Sequence, residues 1–231
     1  LKQAIKLAAS NIEKFHAVQR EEVKVIETTK GVNCWRESRG IENVGIYIPG
    51  GTAPLFSTTL MLGIPAKLAG CQNIILCTPP NKEGKIHPAI LYTANLIGIE
   101  KIYKVGGIQA IGALTFGTET IQKVDKIFGP GNQYVTAAKQ VAHNFGVAID
   151  MPAGPSEVLV IADETSVPKY IAADLLSQAE HGIDSQVILL TTNEQILNET
   201  IAEIKAQLEV LPRKELAAKA LENSRGIVLN S

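Results

Sequence analysis

The 231-residue chain has no run of about eighteen apolar residues, the length a helix needs to cross a bilayer, so no membrane span is expected. Its opening stretch, Leu1 to Ser10, carries Lys2 and Lys6 but neither a long apolar core nor a small-residue cleavage site, and does not read as a secretory signal. Lysine and arginine are not in excess: 22 basic residues stand against 23 acidic ones, which argues against a nucleic-acid partner. Cysteine is scarce. Cys34, Cys71 and Cys77 are odd in number and match neither a zinc nor a thioredoxin spacing. The apolar surroundings of Cys71 and Cys77 predict reduced core residues, which points to the cytoplasm. The chain also lacks an initiator Met and opens inside a helical pattern, as expected of a piece of a longer protein. What is present is 45 % apolar and 19 % charged residues, the balance of a folded chain long enough for one large or two small domains.

Linkers, low-complexity tracts and clear repeats are also missing; short apolar runs alternate with helical patterns instead. Strands are expected at 44–48, 73–77, 101–105, 126–128, 147–149, 158–161, 186–190 and 227–229. Helices are expected at 58–70, 87–98, 108–116, 132–145, 168–181, 193–211 and 213–221. Pro65 should interrupt or kink its helix, Pro88 suits a helix start, and Ser166 suits a cap. The class that follows is α/β: two doubly wound, incomplete Rossmann-like domains with mostly parallel sheets covered on both faces. Two strands joined without a helix place a soft boundary at Pro152 to Ser156. The amphipathic segment Leu1 to Lys30 is expected to pack on the second sheet. That gives one domain from 44–155 and a discontinuous one from 1–43 and 156–231.

Ligands of parallel sheets bind beyond the carboxyl ends of the strands. Four glycine turns fall there: Pro49-Gly50-Gly51, Gly106-Gly107, Gly129-Pro130-Gly131 and Ala153-Gly154-Pro155. Glycine lets a ligand approach the backbone, and the helix starts that follow offer free N–H groups to phosphate. The G-x-G-x-x-G fingerprint is absent after the first strand, so each turn taken alone reads more readily as plain turn chemistry than as a phosphate cradle. In Ser177-Gln178-Ala179-Glu180-His181-Gly182, Gln178 and His181 share a helix face, with Asp174 one turn earlier and Gly182 as a natural stop. Such a pair suits a divalent metal, or His181 simply offsets the helix dipole. Asp150-Met151-Pro152-Ala153-Gly154-Pro155-Ser156-Glu157 is a rigid turn displaying Ser156, read as a hydrogen-bonding ligand, since no G-x-S-x-G elbow surrounds it. His16, His87 and His143 read as structural or solvated, and Trp35 as a loop anchor.

Five stretches together resemble the histidinol dehydrogenase family: 44–58 (V-G-I-Y-I-P-G-G-T-A-P-L-F-S-T), 105–119 (V-G-G-I-Q-A-I-G-A-L-T-F-G-T-E), 126–136 (K-I-F-G-P-G-N-Q-Y-V-T), 150–163 (D-M-P-A-G-P-S-E-V-L-V-I-A-D) and 174–190 (D-L-L-S-Q-A-E-H-G-I-D-S-Q-V-I-L-L). The resemblance implies an NAD-dependent, zinc-assisted oxidation of L-histidinol to L-histidine, the last step of histidine biosynthesis. It proceeds by two hydride transfers through an enzyme-held aldehyde, in a cytoplasmic homodimer with no nucleic-acid or membrane partner. By position, Tyr47, Gln109 and Asn132 resemble NAD contacts, Ser156 a substrate contact, and Gln178 and His181 zinc ligands that also face the substrate. The family's base, an adjacent Glu-His pair, and its remaining zinc ligands, an Asp and a His, are expected beyond Ser231, which would leave this chain alone inactive. The competing expectations are a non-catalytic α/β nucleotide-binding module and another NAD-linked dehydrogenase of the same fold.

Overall fold

A computed structural model of the chain describes residues 1–50, 54–152 and 157–230. It divides into two compact units, Leu1–Ala153 and Gly154–Ser231. Among the described residues no helix is long and apolar enough to cross a membrane.

The first unit opens with α1 (Lys2–Ala17) and a hairpin of β1 (Ile26–Thr29) and β2 (Val32–Cys34). There follow β3 (Asn43–Tyr47), α2 (Phe56–Leu68), β4 (Asn73–Cys77), α3 (Pro88–Leu96), β5 (Lys101–Tyr103), α4 (Gly107–Phe116), β6 (Lys126–Phe128), α5 (Gln133–His143) and β7 (Ala148–Ile149). β3 to β7 form one parallel sheet in the order β5-β4-β3-β6-β7. The chain winds outward from β3 through β4 to β5, then crosses back to lay β6 on the other side of β3. Apolar residues alternate between the two faces. Ile75, Cys77 and Ile127 pack against Ile111 and Leu114 of α4 and Val135 of α5, and Val44, Ile46 and Leu76 against Ile90 and Ala94 of α3. Both faces are therefore covered, which is why β3 and β4 read as nearly unbroken apolar runs.

Several expectations need correction here. Within the first unit α1 packs on α2, with Ile5 buried against Leu60 and Ile64. The β1–β2 hairpin was not anticipated, and Trp35 just after it is 60 % exposed, so it anchors no loop. Pro65 does not break α2, which runs one further turn to Leu68. His87 is structural, as expected: it caps α3, its Nδ1 accepting the N–H of Ala89 at 3.2 Å.

The second unit holds β8 (Glu157–Ala162), α6 (Pro168–Ala179), β9 (Gln186–Thr191), α7 (Glu194–Val210), α8 (Lys214–Glu222) and β10 (Arg225–Val228). Its sheet is parallel, in the order β10-β9-β8. Val158, Val160, Val187 and Leu189 pack with Leu175 of α6, Ile196 of α7 and Ala217 of α8, so all three helices cover the same face. The opposite face is open, with Leu159 and Ile161 exposed by 52 % and 77 %; coverage on both faces holds for the first sheet only. Val167, not Ser166, is the N-cap residue of α6, because the Ser166 hydroxyl is engaged with the N–H of Asp163 at 3.2 Å.

Candidate functional site

β3 and β6 are neighbours, yet their following connections leave in opposite directions along the sheet. That divergence opens a crevice at their carboxyl ends, where open parallel sheets bind ligands. Three of the glycine turns named above meet this edge. Residue 51 of the first turn and the whole of Ala153-Gly154-Pro155 fall outside the described residues, as does Ser156.

Tyr47, the last residue of β3, joins two of these turns. Its hydroxyl accepts the N–H of Gly107 at 3.1 Å, at the start of α4. Its carbonyl backs onto Gly129, the first residue after β6: a Cβ on Gly129 would lie 2.0 Å from that oxygen. Gly129 has φ +133°, a region closed to other residues, so the close crossing of β3 and the turn requires glycine. Tyr47 is only 3 % exposed, but a hydroxyl that accepts one hydrogen bond keeps its own hydrogen to donate.

Two residues on from Gly107, Gln109 stands exposed in the first turn of α4. Three on from Gly129, Asn132 caps α5: its Oδ1 accepts the N–H groups of Tyr134 and Val135, both at 3.1 Å. The expected helix start at Asn132 is thus its cap, and capping engages its amide oxygen, not its amide nitrogen. The three residues expected to contact NAD are therefore gathered at one sheet edge, around two helix N-termini. Beside them, at the ends of β3 and β4, lies a cavity of about 460 Å³ bordered by Pro49, Gly50, Thr78, Pro79, Asn81 and His87. Exposed amide donors, helix N-termini and a glycine that clears the backbone together fit a dinucleotide.

Beneath this edge is an ion pair that the motifs did not suggest. Lys139 of α5 is 4 % exposed, and its ammonium donates to the carbonyl of Gly129 at 2.8 Å while pairing with the Asp150 carboxylate. The other Asp150 oxygen accepts the N–H of Gly129 at 2.7 Å. One signal was available: Val135, Lys139 and Ala142 fall on one helix face, a lysine inside an apolar stripe. Cys77, at the end of β4, is no nucleophile: burial pushes its thiol up to about 12. Partial burial likewise raises Cys71, and all three cysteines are free.

The expected metal pair belongs to the second unit. Gln178 is half-buried in the last turn of α6, and His181 is exposed just beyond it. The helix ends at Ala179, earlier than expected, because the His181 N–H bonds the Gln178 carbonyl at 3.1 Å and tightens the final turn. Gly182 is therefore not the helix stop. Zinc usually takes four donors. Gln178 and His181 offer two, and among the described residues no three His, Cys, Asp or Glu side chains gather to hold a metal.

The histidinol dehydrogenase family model matches residues 1–231. Histidinol dehydrogenase of Bacteroides thetaiotaomicron is 62 % identical over 229 residues, 99 % of this chain and 54 % of its own length. That of Pasteurella multocida is 59 % identical over 228 residues, 99 % of this chain and 52 % of its own. The crystal structure of histidinol dehydrogenase from Elizabethkingia anophelis superposes with a TM-score of 0.98 at 75 % identity, covering all of this chain and 53 % of that one. Succinate-semialdehyde dehydrogenase from Burkholderia pseudomallei, at 14 % identity, covers 90 % of this chain and 44 % of its own with a TM-score of 0.59, a likeness of fold alone. The chain spans about half the length of the curated relatives it matches, 54 % for the first.

Proposed function

The chain belongs to the histidinol dehydrogenase family, and on that footing we propose that it supplies the NAD site and half of the zinc and substrate site of an enzyme oxidising L-histidinol to L-histidine in two hydride transfers. The observation that carries the proposal is the crevice between β3 and β6, where Tyr47, Gln109 and Asn132 surround two helix N-termini. Helix N-termini favour the pyrophosphate, and the Asn132 amide and the Tyr47 hydroxyl hydrogen are donors placed to orient the bound dinucleotide. NAD, when bound, supplies the hydride acceptor. Ser156, Gln178 and His181 are assigned to the substrate, and Gln178 and His181 also to zinc. The ion would supply a Lewis acid to polarise and orient the substrate.

This chain's own contribution is to bind and orient. Restricting a substrate relative to its hydride acceptor removes much of the entropic barrier to reaction. We assign the base to the family's Glu-His pair and not to Glu180-His181, which lies in the zinc motif. The family's homodimer is proposed for the whole protein.

The test uses Asn132→Ala and Asn132→Asp in the whole protein. Aspartate caps helices as well as asparagine, whereas alanine costs about 0.5–2 kcal/mol at such a position. Aspartate nevertheless lacks the amide donor. Both variants should raise the KM for NAD, and only the alanine variant should lower the melting temperature. Wild-type NAD kinetics in Asn132→Asp would remove the crevice as the NAD site.

A further inference from the structure

Lys139 and Asp150 close a ring around one residue. The carboxylate takes the Gly129 N–H, the ammonium takes the Gly129 carbonyl, and the two side chains pair with each other. Both backbone polar groups of Gly129 are thereby held by charged partners. On its other side Gly129 meets the Tyr47 carbonyl, against which even a methyl group has no room. The next residue, Pro130, has its φ fixed by its ring. Asn132 then caps the helix that carries Lys139. The turn 129–132 is thus pinned at its first residue from three sides.

Stability alone is a weak reason for such a pair. Lys139 is buried while Asp150 keeps about a quarter of its side chain exposed, so the pair takes one charge almost wholly out of water, which is costly, and such a charge can often be replaced by an apolar residue without loss of stability. Lys139 sits with Val135 and Ala142 on the buried face of α5, where an apolar side chain would pack without that penalty. What an apolar side chain cannot do is fix both peptide groups of Gly129.

We propose that Lys139 and Asp150 are positioning residues that lock the turn 129–132 so that Asn132 and the start of α5 are preorganised for the dinucleotide. The inference rests on the NAD reading above. The pair acts through Gly129 and Asn132, so its loss should weaken NAD binding selectively. A misplacement of about 1 Å in a binding element can cost on the order of a hundredfold in rate.

The experiment compares Lys139→Met, the double variant Lys139→Met/Asp150→Asn, and Asn132→Asp in the whole enzyme. KM is measured separately for NAD and for histidinol, with thermal melts alongside. The double variant leaves no unpaired buried charge and keeps an acceptor for the Gly129 N–H, so it should fold even if the single variant does not. The expected result is a KM for NAD raised about tenfold or more, with the KM for histidinol within about twofold of wild type. An unchanged NAD KM in a folded clamp variant, with that of Asn132→Asp raised, would overturn the clamp and leave the NAD site standing. Unchanged values in Asn132→Asp as well would instead indict the NAD reading. Parallel rises in both KM values, or failure of both clamp variants to fold, would overturn the proposal by making the pair a general structural support.

Discussion

Replacing Gly129 with alanine would set one methyl group 2.0 Å from the Tyr47 carbonyl oxygen, at a backbone φ of +133°. Neither conflict is relieved by rotating a side chain, because the obstacle is main chain. Holding a non-glycine residue in that region costs about 1–3 kcal/mol. If the backbone moves to escape, it gives up hydrogen bonds to the Asp150 carboxylate and the Lys139 ammonium, and bonds to charged groups contribute about 1.5–3 kcal/mol each. The two bonds alone come to about 3–6 kcal/mol, a large fraction of the ~5–15 kcal/mol that holds a domain folded. The shift is about 2–4 °C per kcal/mol for 150–250 residues and smaller for a longer protein, so the melting temperature of the whole protein should fall by several degrees. Gly112→Ala is the matched control. Gly112 lies inside α4, a Cβ there meets nothing within 4 Å, and alanine suits a helix better than glycine by about 1 kcal/mol. Calorimetry of the whole protein should show the first variant melting well below wild type and the second at or above it. A Gly129→Ala protein melting at or above wild type would refute the reasoning.

Gln178→Ala and His181→Ala should each lower zinc content in the whole protein, by at least the ~10–100-fold in affinity that loss of an outer-shell partner costs. Metal analysis of the purified variants checks this, and full zinc occupancy in both would remove the assignment. The three cysteines should separate by reactivity at about pH 8, close to an ordinary thiol's pKa. Cys34 is exposed and should alkylate first; Cys77 should not, since its thiol stays protonated up to about 12 while folded. Denaturant removes that burial, so all three should then label, and mass spectrometry of labelled peptides reads the order. Labelling of native Cys77 as fast as Cys34 would contradict its place in the core.

Much of the fold was legible because a parallel sheet writes itself plainly. β4 and β6 fall where their apolar runs lie, and Asn132 and Asn193 mark helix starts by an amide able to cap them. Strand order was not legible: alternation fixes the sequence of elements, and nothing in 126–128 says that β6 pairs with β3 instead of extending the far edge beside β5. The hairpin of β1 and β2 was missed because its residues are exposed on both sides and show no two-residue alternation of burial. Lys139 was missed for a different reason. Lysine is almost never fully buried, so a lysine on a helix reads as solvated unless a partner is known. Its partner lies eleven residues on, past β7.

Tyr47 brings these strands of argument together. Its place at the end of β3 makes it the residue from which the two halves of the sheet diverge. A nearly buried side chain has little surface to give a ligand, yet one tyrosine reaches both loops that border the crevice, through its hydroxyl to Gly107 and its carbonyl against Gly129. Gln109 and Asn132 then follow at two and three residues, a distance over which a helix start leaves little freedom. Their alignment is set less by their own side chains than by how firmly the two glycines are held. The Gly107 N–H is held by the Tyr47 hydroxyl, whereas both peptide groups of Gly129 are held by charged side chains, those of Lys139 and Asp150. On the β6 side that hold passes through charged groups, which bond to the backbone more strongly than neutral ones do.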